Sequence, residues 1–143
     1  MTNAIRYRRR DWEARLHHAL DRVRHLPFSR AEWDCVRFMA YGLDAMTGQG
    51  WEVPLTYATD LQAARHLRRA GGLQNIVDAA LRPHGIERIS PAFAQRGDVV
   101  MCEGKPFPSL GIHFGDVVLT IIEGAGGICT LPPDRITYAW HIP

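Results

Sequence analysis

The chain has 143 residues, 46% of them hydrophobic and 22% charged, with a net charge of +2, which is the balance of one soluble globular domain able to bury a core without metal or disulfide. It excludes a disordered or collagen-like chain, and no apolar run reaches membrane-spanning length. Three cysteines, Cys35, Cys102 and Cys129, form no C-x-x-C pair, so a disulfide framework and a zinc knuckle are excluded and reduced thiols are expected.

Charge is unevenly spread: residues 1–30 carry +5 and the remainder −3. Arg6, Arg8, Arg9 and Arg10 precede a helical pattern in which Trp12, Leu16, Ala19, Leu20 and Val23 share a face, ending before Pro27. A basic cluster opposes the dipole at a helix start, so these arginines are expected to meet an acidic partner. Aromatic interleaving is limited to Tyr7 and Trp12, which argues against nucleic acid. No apolar core follows the arginines to make a signal peptide, so synthesis in a cytoplasm is expected. His17, His18 and His25 could line one helix face but lack an accompanying carboxylate ligand pattern, and read as surface residues.

In the next segment Val36, Met39, Ala40, Leu43 and Met46 recur at helical spacing, with Asp34 as N-cap and Gly48 as the stop. Cys35 then falls in the first helical turn, where free amides and the dipole favour a thiolate. A nucleophile would be placed there, and so would a small buried residue opening a core helix. Gln49 to Thr56 reads as a loop carrying Gly50, Trp51 and Pro54. Thr59 with Gln62 forms a capping box for a third helix through Arg69, stopped by Gly71 and Gly72. A fourth follows on Leu73, Ile76, Val77, Ala80 and Leu81 until Pro83 and Gly85.

From about Ile86 the pattern becomes short branched runs separated by Gly, Pro and Asp: Asp98 to Cys102, Leu110 to Phe114, Val117 to Ile122, Ile128 to Leu131 and Thr137 to Ile142. Gly115-Asp116 and Gly124 to Gly127 are suited to hairpin turns. The expectation is a single α+β domain over 1–143: a basic helical arm (1–30), a helical part with the cysteine helix (31–85) and a small antiparallel, strongly curved sheet or open barrel (86–143). Arg96-Gly97-Asp98 looks like a cell-adhesion tripeptide, but a turn entering a strand explains it better. Neither a ligand cluster nor a phosphate-cradling glycine loop is present, so no metal or organic cofactor is implied.

A helix opening on Asp34-Cys35, a Gly97-Asp98-Val99-Val100 strand, a Leu110-Gly111-Ile112 strand and closing strands together resemble the NlpC-like branch of the papain-like fold, a branch of cell-wall cysteine endopeptidases with members in bacteriophage tails. Trp33-Asp34-Cys35, Ala45-Met46-Thr47-Gly48, Arg69-Ala70-Gly71-Gly72-Leu73 and Ala94-Gln95-Arg96-Gly97-Asp98 are similar to a family of small phage and prophage proteins of unassigned activity found among tail genes. The resemblance implies Cys35 as nucleophile and a histidine two residues before Gly111, where Ser109 stands. It implies a third polar residue near Ile121, with Thr120 and Glu123 the nearest polar alternatives.

His113 shares a sheet face with position 109 but lies roughly 13 Å along the strand, whereas a base must come within about 3 Å of the thiol. It serves as base only if a bulge shifts the register. His84 and His141 are the spare candidates. The resemblance therefore implies a virion protein of the phage tail tip or baseplate with a catalytically degenerate fold, contacting other tail proteins through Arg6, Arg8, Arg9 and Arg10. The alternative is an active cysteine endopeptidase cutting peptidoglycan stem peptides.

Overall fold

A buried helix, α2 (Cys35–Thr47), lies against a six-stranded antiparallel sheet in the computed structural model, which describes residues 7–51 and 57–143. Its start and stop follow the local chemistry. Asp34 has extended backbone and its Oδ1 accepts the Arg37 N–H at 3.1 Å, while Gly48 at φ 70° returns its own N–H to the Asp44 carbonyl. A side chain is disfavoured at that φ, which is why glycine ends the helix.

Three more helices surround it: α1 (Trp12–Val23), α3 (Asp60–Ala70) and α4 (Leu73–Leu81). The capping box of α3 forms in a shifted version. Thr59 Oγ1 accepts the Gln62 N–H, but Gln62 Oε1 accepts the N–H of Ala58 rather than that of Thr59. Gly71 and Gly72 at positive φ separate α3 from α4. The loop expected over Gln49 to Thr56 is described only through Trp51, and Pro54 lies outside the described residues.

The strands are β1 (Arg88–Ile89), β2 (Val99–Cys102), β3 (Ser109–His113), β4 (Val118–Thr120), β5 (Cys129–Leu131) and β6 (Ile136–Trp140), in the spatial order β1-β6-β2-β3-β4-β5. Both expected hairpins form, β3 to β4 around Gly115-Asp116 and β4 to β5 around Gly124 to Gly127. Several runs are shorter or shifted by a residue. Ile121 and Ile122 leave the sheet after Thr120, and Ser109 rather than Leu110 opens β3. The sheet is open, with β1 and β5 as its edges, and is not strongly curled, contrary to the expected curvature. Strands of two to five residues accumulate little twist, and the pairing shows one irregularity, between Met101 and Cys102, where β2 meets β6.

Alternation along the strands builds two apolar layers. Val99, Met101, Leu110, Ile112 and Trp140 join Leu16, Phe38, Leu43 and Met46 on the helical side. Val100, Cys102, Val118 and Ala139 fill the other side with Ile89, Leu131 and Ile136. Gly42 permits the close approach of α2 to β3, because a Cβ there would collide with Ile112 Cδ1. Asp78 of α4 ties the helices to the sheet by accepting the Trp140 Nε1–H at 2.8 Å and pairing with Arg88.

The N-terminal segment is folded into the domain, which corrects the expectation of free arginines. Tyr7 and Arg8 donate their N–H groups to the Pro143 carbonyl, and Arg9 donates to that of Met46. The Arg9 guanidinium sits at the carboxyl end of α2, 3.4 Å from the Thr47 carbonyl, where the dipole favours a cation. Arg8 donates to the Arg96 carbonyl and lies 4.6 Å from the Trp12 ring centroid. These arginines meet backbone carbonyls left over at element ends, the physical reason they are held. Arg10 is exposed, and Arg6 lies outside the described residues. His17, His18 and His25 are exposed, as expected. No helix among the described residues is long and apolar enough to cross a membrane.

Candidate functional site

Cys35 opens α2 close to the first residues of β3, where the Leu110 N–H favours its thiolate. This places the thiol beside Ser109, the position where the resemblance puts a base. The two residues line one cleft of about 190 Å³ together with Phe28, Arg30, Phe107, Ile121 and Glu123. Ile121, at the place of the third polar residue, is 1% exposed and apolar. Thr120 spends its hydroxyl on the Leu110 carbonyl at 2.7 Å, and Glu123 is exposed at the rim.

The thiol is not activated. Cys35 is 6% exposed, and burial pushes its pKa up to about 11, with Asp34 adding to the rise and the Leu110 N–H and Arg30 opposing it. The helix N-terminus favours the thiolate, but loss of water outweighs it. Among the described residues no imidazole is hydrogen-bonded to the sulfur.

The three histidines considered from sequence lie elsewhere. His113 ends β3, its Nδ1 accepts the Gly115 N–H at 3.2 Å, and β3 pairs with β2 and β4 without a bulge, so no register shift brings it to Cys35. Burial depresses its pKa, the Asp98 charge opposing. His141 holds its Nδ1 2.8 Å from Asp98 Oδ1. Asp98 is fully buried and also accepts the N–H groups of Gln95 and Ile142, so the adhesion-like tripeptide is a structural corner, as expected. His84 packs on Trp51 with ring centroids 4.3 Å apart and borders a separate cavity with Met39 and Leu43.

Asp34 was legible as the N-cap, but its other partners and several residues around Cys35 escaped the sequence reading. Asp34 is fully buried and, besides capping α2, accepts the Tyr57 hydroxyl and pairs with Arg37 at 3.2 Å and Arg30 at 3.6 Å. Burial and then the Asp34 bond hold the Tyr57 phenol protonated to far above its ordinary range. Arg30 lies in the turn before α2 and Arg37 in its first turn, so the two guanidinium groups reach the N-cap carboxylate from either side. His66 of α3, whose ring centroid is 6.1 Å from that of Tyr57, borders a small cavity of about 20 Å³ shared with Cys35 and Tyr57. Nothing local in the sequence marks it. A separate depression of about 860 Å³ opens between Met101, Glu103, Lys105, Arg135 and Tyr138, and no thiol or imidazole lines it among the described residues.

Among the described residues, no three His, Cys, Asp or Glu side chains are grouped to hold a metal ion. The arrangement can bury a thiol, hold a carboxylate between two guanidinium groups and close a cleft; it presents no ready nucleophile and base pair. Compared with curated proteins, the sequence matches none. The family described as a domain of unknown function (DUF6950) matches residues 7–142, almost the whole chain, and the protein belongs to that family.

Proposed function

We propose that the protein is a structural or assembly component of a phage or prophage tail, built on an NlpC-like, papain-like fold that has lost its chemistry. The observation that carries this reading is the pairing of Cys35 with Ser109: a cysteine at a helix start lines the same cleft as Ser109, with a hydroxyl where a base is required. A thiol with a pKa near 11 and no imidazole bonded to it is a packing group rather than a nucleophile. The tail setting is supported by the motif order from Trp33 to Ile112.

The test is direct. Wild-type protein incubated with purified peptidoglycan is expected to release no stem-peptide fragments, and Cys35→Ala is expected to enter tail particles as wild type does. Fragments that disappear in Cys35→Ala would overturn the reading. They would favour the second one, an active cysteine endopeptidase, for which the supporting observation is that His66 shares a cavity wall with Cys35. In that case His66→Ala abolishes the release as well.

A further inference from the structure

Cys35 borders two cavities, one of about 190 Å³ facing Ser109 and Glu123 and one of about 20 Å³ facing Tyr57 and His66. Arg30, Phe107 and Pro108 line both of them, so these residues form the common wall. Phe107 and Pro108 end the loop 103–108 that joins β2 to β3. The first four residues of that loop are exposed, and only its last two turn inward. The Arg30 guanidinium lies between two aromatic rings, 4.8 Å from the Phe28 centroid and 4.7 Å from that of Phe107. Its other contacts anchor it to the helices: Nε lies 2.8 Å from Asp60 Oδ1 on α3 and Nη1 3.6 Å from Asp34 Oδ2.

The loop is thus held at one ring by a cation that is itself fixed to the body of the protein. Such a stack is weak beside the cooperative core, so the loop can open well below the global unfolding free energy. We infer that the loop 103–108 is a lid over Cys35, latched by Arg30 between Phe28 and Phe107. Lifting Phe107 and Pro108 removes the loop's part of the common wall, leaving Arg30 in place, and opens the two cavities toward each other past the sulfur. The lid explains how a cysteine at a helix start is kept from water, and it holds whether or not the thiol ever acts on a substrate.

Alkylation of the full folded chain with N-ethylmaleimide at pH 8, followed peptide by peptide in a mass spectrometer, separates Cys35 from Cys102. Cys102 is fully buried in the other face of the sheet and reports global opening. Phe107→Ala is expected to raise the Cys35 rate at least tenfold and leave the Cys102 rate unchanged. Gly104→Ala, whose new methyl would meet the Phe107 carbonyl oxygen at 2.8 Å, displaces the same loop without removing the ring and is expected to act in the same direction.

The wild-type chain supplies a test that no folding defect can obscure. Below the unfolding transition, Cys35 labelling should be nearly independent of urea while Cys102 labelling rises steeply, because a loop opening exposes little surface. A Cys35 rate that rises only in step with that of Cys102, in the variants or in urea, overturns the lid. Peptide cleavage is not read in this experiment, so the lid and the proposed function fail by different results.

Discussion

Ser109→His places an imidazole beside Cys35, in a cleft of about 190 Å³ with room for it. In the wild-type protein the thiol pKa is about 11, so at pH 8 roughly one molecule in 10³ carries the thiolate. An imidazolium partner typically brings a cysteine to about 7 or below, which raises the thiolate fraction roughly 10³-fold. Nucleophilicity falls as basicity falls, by roughly 60-fold over four pKa units, so the net gain in alkylation rate at pH 8 is about tenfold. Opening of the loop 103–108 enters both proteins alike and cancels in the ratio. The more telling readout is the pH profile of Cys35 alkylation, whose rise should move from near 11 to near 7. A profile that stays where it was means that the side chain at 109 does not reach the sulfur, and the correspondence between Ser109 and a lost base is then wrong.

Four further outcomes follow from the packing and electrostatics. Asp98→Ala leaves the N–H groups of Gln95 and Ile142 without their acceptor in the interior and should cost about 3–5 kcal/mol in urea unfolding; a loss below about 1 kcal/mol would refute that role. Gly42→Ala forces a methyl against Ile112 and should destabilise by about 1–3 kcal/mol despite the better helix propensity of alanine, which equal or higher stability would contradict. For pH, the folded Cys35 pKa of about 11 lies above that of an unfolded thiol near 8.5, so the stabilisation is present below about pH 8.5 and is lost as pH rises toward 11. Cys35→Ala should therefore lose about 2–3 kcal/mol less than wild type between pH 8 and 11, and parallel stability curves would show that the thiol ionises freely. Finally, Arg9→Glu should lower the Tm of the isolated protein by about 3 °C, whereas a solvated docking arm would leave it unchanged.

The sequence by itself determined the parts whose cause lies within one or two turns of chain. The apolar spacing from Val36 to Met46, the Asp34 cap and Gly48 define α2 because each acts on backbone groups a few residues away. The same holds for Thr59 with Gln62, for Gly71-Gly72 and for the two hairpin turns, and their order yields helices first and an antiparallel sheet after. It also placed Cys35 at a helix start, whereas Ser109 stood one residue before the run read as a strand, and the meaning of that pair came from resemblance. What tertiary structure alone decided is everything set by partners distant in sequence. A two-residue run such as Arg88–Ile89 becomes a strand only because β6 offers it an edge. Arg8 and Arg9, read as part of a basic arm, are held by carbonyls 37 to 135 residues away, and whether an arginine is solvated or bonded depends on which backbone carbonyls pass beside it. Tyr57, His66 and Phe107 gather at Cys35 because helix, loop and strand converge there, and burial at that convergence, not the helix dipole that the sequence displays, sets the protonation of the thiol.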